Sequence, residues 1–362
     1  MTRPDPDSRQ TSPAGDSPTG GGQAHGGDLA AAAARFGEPA AGWIDLSTGI
    51  NPWPYPVDAL PPEAWTRLPG AADIVSLRAA AARRYGAPGA DRVVPAPGTE
   101  SLIRLLPCLV PDSCVAVVGP TYGGHAPAWE AAGHVVASLA DLPAPSAAPA
   151  VVVVTNPNNP DGRCHDPSTL EALAVVQAAR GGLLVVDEAF ADLTPETSVA
   201  GAVDGGGLVV LRSFGKTYGL AGLRLGFAVA DRALAGRLAA ALGSWPVSGP
   251  AIALGTRALA DDAWLAAIRA RCAEARGRLD GILAAAGLAV VGGTDLFRLV
   301  EDARAPAIAA ALGRAGLHVR DFARFPDRLR FGLPPDAEAE ARLAEALAAA
   351  TGGRTPDTEH SS

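Results

Sequence analysis

The sequence predicts an α/β protein, with a larger domain built on a mainly parallel sheet and a smaller α+β domain after it. Three observations carry that expectation. Short, β-branched apolar runs recur between residues 93 and 230, most of them closed by a polar or Gly-rich turn, as strands buried on both faces do. Three of these runs deliver Asn156, Asp187 and Lys216 just past their ends, 31 and 29 residues apart, one β-loop-α repeat each. After Ser244–Trp245–Pro246–Val247–Ser248 the chain turns to long Ala- and Leu-rich helical patterns with short strands between them. A length of 362 residues suits one large and one smaller domain.

Composition excludes several classes. Lys and Arg number 30 against 38 Asp and Glu, a formal charge of −8 with no basic run, so nucleic acid is not an expected partner. Cys108, Cys114, Cys164 and Cys272 form no C-x-x-C pair and do not cluster with His, which argues against a metal site or a disulfide framework. No 18-residue apolar stretch free of charge and turn signals suggests a membrane span. The first residues, MTRPDPDSRQ, lack an apolar signal core. The expectation is a reduced, soluble, cytoplasmic protein.

Residues 1–24 and 351–362 are rich in Pro, Gly, Ser and Asp with few large apolar side chains, and are expected to be disordered. Residues 25–56 read as an irregular arm, since their Pro and Gly density rules out a long regular element. Residues 65–85 read as a loop and then a helix, with Leu77, Ala80, Ala81 and Arg84 on one face. Val93–Val94 leads into Pro97–Gly98–Thr99–Glu100–Ser101 and a helical stretch to 109. Gly-Thr at a helix start turns unpaired N–H groups and the positive dipole end outward, and Thr99 can equally serve as the N-cap. Residues 114–118 form a buried strand ending at Gly119–Pro120–Thr121–Tyr122. Residues 151–154, four valines, are the clearest parallel-type strand and run into Thr155–Asn156–Pro157–Asn158–Asn159–Pro160–Asp161–Gly162. The strand at 183–186 ends in Asp187–Glu188–Ala189–Phe190. Beyond the large domain, assigned to 57–245, the small domain covers 246–350. It holds a helix at 264–286 with Leu265, Ile268, Cys272, Leu279 and Leu283 on one side, and short strands near 289–291 and 296–300. A helix at 305–315 follows, and a closing helix at 337–350 has Asp336 as its N-cap.

The chemistry concentrates in residues 208–230, LVVLRSFGKTYGLAGLRLGFAVA. A strand ends in Arg212–Ser213–Phe214–Gly215–Lys216, and Arg224 follows the lysine by eight residues among glycines that let a ligand approach the backbone. Serine and arginine suit a phosphate monoester, as hydrogen-bond donor and forked cation. A partly desolvated lysine can lose its proton and condense with an aldehyde. An aldehyde that carries a phosphate is pyridoxal 5′-phosphate.

SFGKTYGLAGLRLG resembles the cofactor-lysine motif of fold-type I pyridoxal-phosphate enzymes, the aspartate aminotransferase superfamily. The likeness runs from about residue 25 to 350, and within the superfamily it is to the branch of histidinol-phosphate aminotransferases and threonine-phosphate decarboxylases. It implies a three-layer α/β/α large domain, a homodimer and a phosphorylated amino-acid substrate. It makes Gly98, Thr99 and Glu100 the phosphate cup with Ser213 and Arg224. It sets Tyr122 over the pyridine face, Asn156 on the ring's 3′-oxygen and Asp187 on the ring nitrogen, where it keeps the cofactor an electron sink. Glu188 is read as structural.

The HGG at His25 and the DLSTGINP segment resemble the decarboxylases' arm, which implies substrate contacts for His25 and Asn51. Asn51 can also be read as a turn residue before Pro52 and Pro54, and Tyr122 as wall packing. Arg330, in LRFGL, matches the family arginine that clamps the substrate's anionic group, with Arg320 as a second anion contact. For both arginines a surface salt bridge is the alternative. Two positions depart from the pattern. Leu68–Pro69–Gly70 stands where relatives carry a tyrosine that reaches the neighbouring subunit's cofactor phosphate. Phe190 stands where many aminotransferases have a tyrosine donating to the 3′-oxygen. The arm, the DEAF variant and the LRFGLP end favour decarboxylation of threonine phosphate, and transamination and a non-catalytic scaffold are the other readings.

Overall fold

The computed structural model describes residues 26–352. The expected tail at 1–24, the candidate His25 and residues 353–362 of the expected tail at 351–362 lie outside the described residues, while Thr351 and Gly352 of that tail end and cap the last helix.

The strands are β1 (Ile44–Leu46), β2 (Val93–Ala96), β3 (Cys114–Val118), β4 (Val135–Leu139), β5 (Val151–Thr155), β6 (Leu183–Asp187), β7 (Leu208–Ser213), β8 (Gly226–Ala230), β9 (Val290–Thr294), β10 (Phe297–Glu301), β11 (Leu317–Asp321) and β12 (Arg328–Gly332). The helices are α1 (Leu29–Phe36), α2 (Glu63–Thr66), α3 (Ala71–Tyr85), α4 (Thr99–Leu105), α5 (His125–Ala131), α6 (Pro167–Ala179), α7 (Phe214–Thr217), α8 (Arg232–Leu242), α9 (Gly249–Leu259), α10 (Asp262–Ala285), α11 (Ala305–Arg314) and α12 (Ala337–Thr351).

Seven strands form the large sheet in the order β2-β8-β7-β6-β5-β3-β4. β3 to β7 pair in parallel and β8 runs against both its neighbours. The valine runs work because successive side chains enter opposite cores. Val152, Val154, Leu184 and Val186 pack with Leu77 of α3, Leu170 of α6 and Ile252 of α9. Val151, Val153 and Val185 pack with Leu102 of α4, Trp129 of α5 and Leu238 of α8. This is the expected three-layer arrangement.

The small sheet has the order β1-β11-β12-β10-β9. Its first strand comes from the arm: β1 pairs in parallel with β11, while the other pairs are antiparallel. Leu265, Ile268, Cys272, Leu279 and Leu283 of α10 all enter this domain's core, and Asp336 caps α12 through its side chain to the Ala339 N–H.

Two expectations need adjusting. Gly98, at φ 83°, occupies the N-cap of α4, and Thr99 is its first helical residue, so the threonine does not cap. The expected division at 245/246 falls before α9, yet Ala251, Ile252, Ala258 and Leu259 of that helix lie in the large-domain core. Packing places the start of the small domain at α10, whose apolar face belongs to the other core.

Candidate active site

Register gathers the site. Thr155 of β5, Asp187 of β6 and Leu211 of β7 stand side by side across the sheet, so Asn156, Asp187 and the Ser213–Lys216 turn emerge together at its carboxyl edge, where ligands of parallel sheets collect. Lys216 is half-buried in α7. Desolvation, then Arg330, with Arg224 adding, lowers its pKa to about 8, against a pull upward from Asp187. A fraction of the amine is therefore unprotonated at neutral pH, as a nucleophilic lysine requires. Lys216 is also the only lysine in the 362 residues, all 29 other basic side chains of the Lys and Arg class being arginine. That count is a functional signal the motif reading did not use.

The turn that carries the lysine is held tightly. A Cβ on Gly215 would come within 2.7 Å of Ala221 Cα. From the other side the arm runs along it: Asn51 N–H donates to the Lys216 carbonyl at 3.0 Å, and Tyr55 N–H to the Tyr218 carbonyl at 2.9 Å. Asn51 is buried, its Nδ2 donating to the carbonyls of Thr217 and Trp53, both at 2.8 Å, and its Oδ1 accepting from Trp53 N–H at 2.9 Å. Both amide protons are committed to backbone, so this side chain ties the arm to the lysine turn.

Beside the turn lie groups of the kind that bind a phosphate. Gly98 lies against Arg224: a Cβ there would meet the guanidinium at 2.7 Å. The start of β8 presses on the same point, since a Cβ on Gly226 would lie 2.6 Å from the Thr99 nitrogen. No side chain caps α4, and the Ser213 side chain makes no capping bond to α7. A hydroxyl, a guanidinium and outward N–H groups thus converge, and they fit a phosphate monoester.

Asp187 is buried and has a partner at each oxygen. Its Oδ2 lies 2.9 Å from His125 Nε2, and its Oδ1 accepts from Ala189 N–H at 3.1 Å. His125, itself buried at the start of α5, is a site residue that the sequence reading missed; its place three residues beyond Tyr122 was the available signal. The Tyr122 ring stands edge-on to His125 at 5.9 Å, and its hydroxyl donates to Glu100 Oε2 at 3.1 Å. Burial, with Glu100 next, raises that phenol's pKa, so it stays neutral. Asn156 is buried. Its Oδ1 accepts from His165 N–H at 2.8 Å, and its Nδ2 points at the carbonyls of Thr197 (3.2 Å) and His165 (3.4 Å).

Arg330 brings a buried positive charge to bear on Lys216. It is buried, yet its hydrogen bonds go to neutral oxygens, the Asn159 amide at 2.5 Å and the Ser47 carbonyl at 2.7 Å, and its Nε has no partner. Burial and Arg320 lower its pKa to about 10, which leaves it charged at neutral pH. Asp45 acts on it by charge without a hydrogen bond, and a buried cation bonded only to neutral groups is costly. Arg320 pairs with Arg330 across β11 and β12, so the two side chains share one face of the sheet. Among the described residues no group of His, Cys, Asp and Glu could hold a metal ion, and no helix is long and apolar enough to cross a membrane.

The sequence model of the aminotransferase class I and II family matches residues 59–347. A threonine-phosphate decarboxylase from Sinorhizobium sp is 49% identical over 326 residues, 90% of this chain and 97% of that protein. One from Pseudomonas aeruginosa is 44% identical over 325 residues, 89% of this chain and 96% of that protein. Among solved structures, the histidinol-phosphate aminotransferase from Sinorhizobium meliloti in complex with pyridoxal-5′-phosphate superposes with a TM-score of 0.74 at 22% identity, covering 89% of this chain and 94% of that one. The chain belongs to the class I and II aminotransferase family.

Proposed function

We propose that this protein is a pyridoxal-phosphate-dependent carboxy-lyase that converts L-threonine O-3-phosphate to (R)-1-amino-2-propanol O-2-phosphate, in cobalamin biosynthesis. The observation that carries the chemistry is the single lysine of the chain, half-buried, with its pKa lowered to about 8, between a carboxylate and a phosphate cradle. The choice of reaction is supported by two near full-length relatives named for it, whereas histidinol-phosphate aminotransferases match at 34% identity over 58% and 70% of the chain.

Lys216 would hold the cofactor's aldehyde carbon. Ser213, Arg224 and the backbone at Gly98, Thr99 and Glu100 would hold its phosphate, Tyr122 its ring face, Asn156 its 3′-oxygen and Asp187 its ring nitrogen. When bound, the cofactor supplies a sink for the electrons of a bond broken at the substrate's α-carbon. Asp187 keeps negative charge at the end of that sink, oriented by His125 and the Ala189 N–H. Arg330 and Arg320 hold the substrate's carboxylate and phosphate, and each fixed contact removes a way for the reacting bond to turn out of line. Lys216, titrating near neutral pH, returns a proton to the α-carbon. Phe190 offers no hydroxyl to the 3′-oxygen, and Asn156 would reach that atom by giving up the longer of its two backbone bonds, to the His165 carbonyl.

A homodimer and a cytoplasmic location complete the proposal. In support of the first, Val57, Trp65, Leu68, Val75 and Trp245 are large apolar side chains left exposed, four of them within residues 57–75.

The test incubates the purified protein with pyridoxal phosphate and threonine phosphate and follows carbon dioxide. Release that disappears in Lys216→Ala is the expected result. No release, with amino transfer between histidinol phosphate and 2-oxoglutarate instead, would move the protein to the aminotransferase reading.

A further inference from the structure

Arg212 takes no part in the chemistry above, yet it is the most heavily engaged charge beneath the site. It stands on β7 four residues before Lys216 and is 3% exposed. Its Nη1 donates to Glu188 Oε2 at 2.6 Å and its Nη2 to Asp192 Oδ1, and its guanidinium lies 4.5 Å from the centre of the Tyr85 ring. Both carboxylates are as buried as the arginine. Two buried carboxylates around one guanidinium make a poor device for stability alone, because well-packed apolar side chains of similar size commonly do as well or better. The cluster calls for another reason.

That reason lies in what the two carboxylates carry. Both belong to the turn that follows β6. Glu188 also accepts from the Ser198 hydroxyl at 2.5 Å and the Val199 N–H at 2.7 Å. The Asp192 carbonyl accepts twice from Arg269 of α10, at 2.8 and 2.6 Å. The turn is therefore pinned from β7 by Arg212 and from the small-domain helix by Arg269. Asp187 sits at its start and Phe190 at its middle. The Phe190 ring lies 5.8 Å from Lys216 Nζ and edge-on to Phe297 at 5.1 Å, and a Cβ on Gly49 would touch it at 3.0 Å.

We propose that Arg212 is a positioning residue for Lys216: through Glu188 and Asp192 it holds the turn 187–193 so that the Phe190 ring and the Asp187 carboxylate stay against the amine. This rests on Lys216 being the cofactor-bearing lysine. The other groups facing that amine, Arg330 from β12 and Arg224 from the loop before β8, lie outside the turn, and Arg330 meets it through Phe297, whose ring its guanidinium overlies at 4.9 Å.

The single lysine makes the test direct. Apo protein grown with lysine carrying carbon-13 at Cε gives one lysine resonance, whose shift with pH reports the Lys216 amine alone. The variant Arg212→Gln removes the pin. The triple variant Arg212→Met, Glu188→Gln, Asp192→Asn removes it while leaving no charge buried without a partner, and it serves where the single variant does not fold. In the triple variant, losing the cluster's net negative charge would by itself lower the lysine's midpoint, whereas Arg212→Gln alone leaves two unpaired carboxylates that would raise it, so the triple variant is the one that decides. Loosening Phe190 and admitting water raises the midpoint. The expected result in a variant with native circular dichroism is a midpoint about one pH unit higher, a tenfold change in proton affinity, with Arg269→Ala giving a smaller rise. A folded triple variant whose midpoint equals or falls below that of the wild type would overturn the proposal, and would assign the cluster to stability only. The titration is read without cofactor, so it stands apart from the carbon dioxide assay, and failure of the decarboxylase reading leaves it interpretable.

Discussion

At the scale of single residues, the site is a set of charges held away from their usual partners. Lys216 has a carboxylate near it but two guanidinium groups as well, and desolvation dominates. The thermodynamic consequence has a definite sign. A lysine with a pKa of about 8 in the folded chain and 10.5 as its ordinary value is charged in both states below pH 8, where the cost of burying the charge is fully present. Between about pH 8 and 10.5 the unfolded chain holds a proton that the folded chain has lost, so stability rises with pH across that window. The span corresponds to at most about 3 kcal/mol, and less because water still reaches the amine. Urea melts of apo protein at pH 7.5 and 10 measure it against Lys216→Met, an unbranched side chain one atom shorter and without the charge. The variant is expected to be the more stable at pH 7.5, and its advantage to shrink at pH 10. An unchanged gap between the two pH values would contradict the lowered pKa. Subtracting the variant cancels any titration of Arg330, which is common to both.

At the scale of elements, the sequence made some parts legible and hid others for identifiable reasons. Strands β5, β6 and β7 were readable because four or more consecutive apolar residues with β-branching have few other uses, and their ends then located Asn156, Asp187 and Lys216. The face of α10 was readable from its spacing. His125 was not, because a buried histidine at the start of a helix is recognised only by the carboxylate it meets from another strand. The same holds for Arg212, whose partners lie 24 and 20 residues away in sequence. Asn51 was placed near the substrate by resemblance, and only the paired hydrogen bonds to Trp53 and Thr217 show what it does in this fold. That clamp yields a second expectation. Gly219 has φ 66°, and a Cβ there would lie 2.7 Å from Pro54 Cα and 2.8 Å from the Asn51 carbonyl. Gly219→Ala combines a left-handed backbone with a clash against main chain that cannot rotate away, so the arm must shift from the lysine turn. Destabilisation of about 1–3 kcal/mol is expected from the strain, read in thermal melts. Faster cleavage within residues 48–56 by a protease at low concentration would locate the loosening in the arm, and cleavage elsewhere would not.

At the scale of the molecule, the large domain, the lysine turn and the arm form one connected body, and the remaining question is what covers its exposed apolar surface. Trp65 is 69% exposed, Leu68 68% and Trp245 55%. α2, which carries Trp65, packs on α9, where a Cβ on Gly249 would come within 2.2 Å of the Ala64 carbonyl. Trp245, four residues before that glycine, adopts φ 55°, a left-handed conformation that costs roughly 1–2 kcal/mol for a bulky residue. Large exposed apolar side chains near one helix pair, one of them strained, are features of protein–protein surfaces. A second copy of the chain is the occupant expected, because Leu68 lies in the segment that reaches the neighbouring subunit's cofactor in enzymes this sequence resembles. The combination Trp65→Glu with Leu68→Glu places two charges on that surface without touching either large-domain core. Sedimentation of wild type and variant, each with cofactor, separates the possibilities. A wild-type dimer that becomes a folded monomer in the variant, with weakened cofactor retention, is the expected outcome. A variant that remains dimeric would show that the copies meet elsewhere. A wild type that is monomeric at tens of micromolar would remove the homodimer from the proposal, and with it any completion of the phosphate cradle from a second subunit.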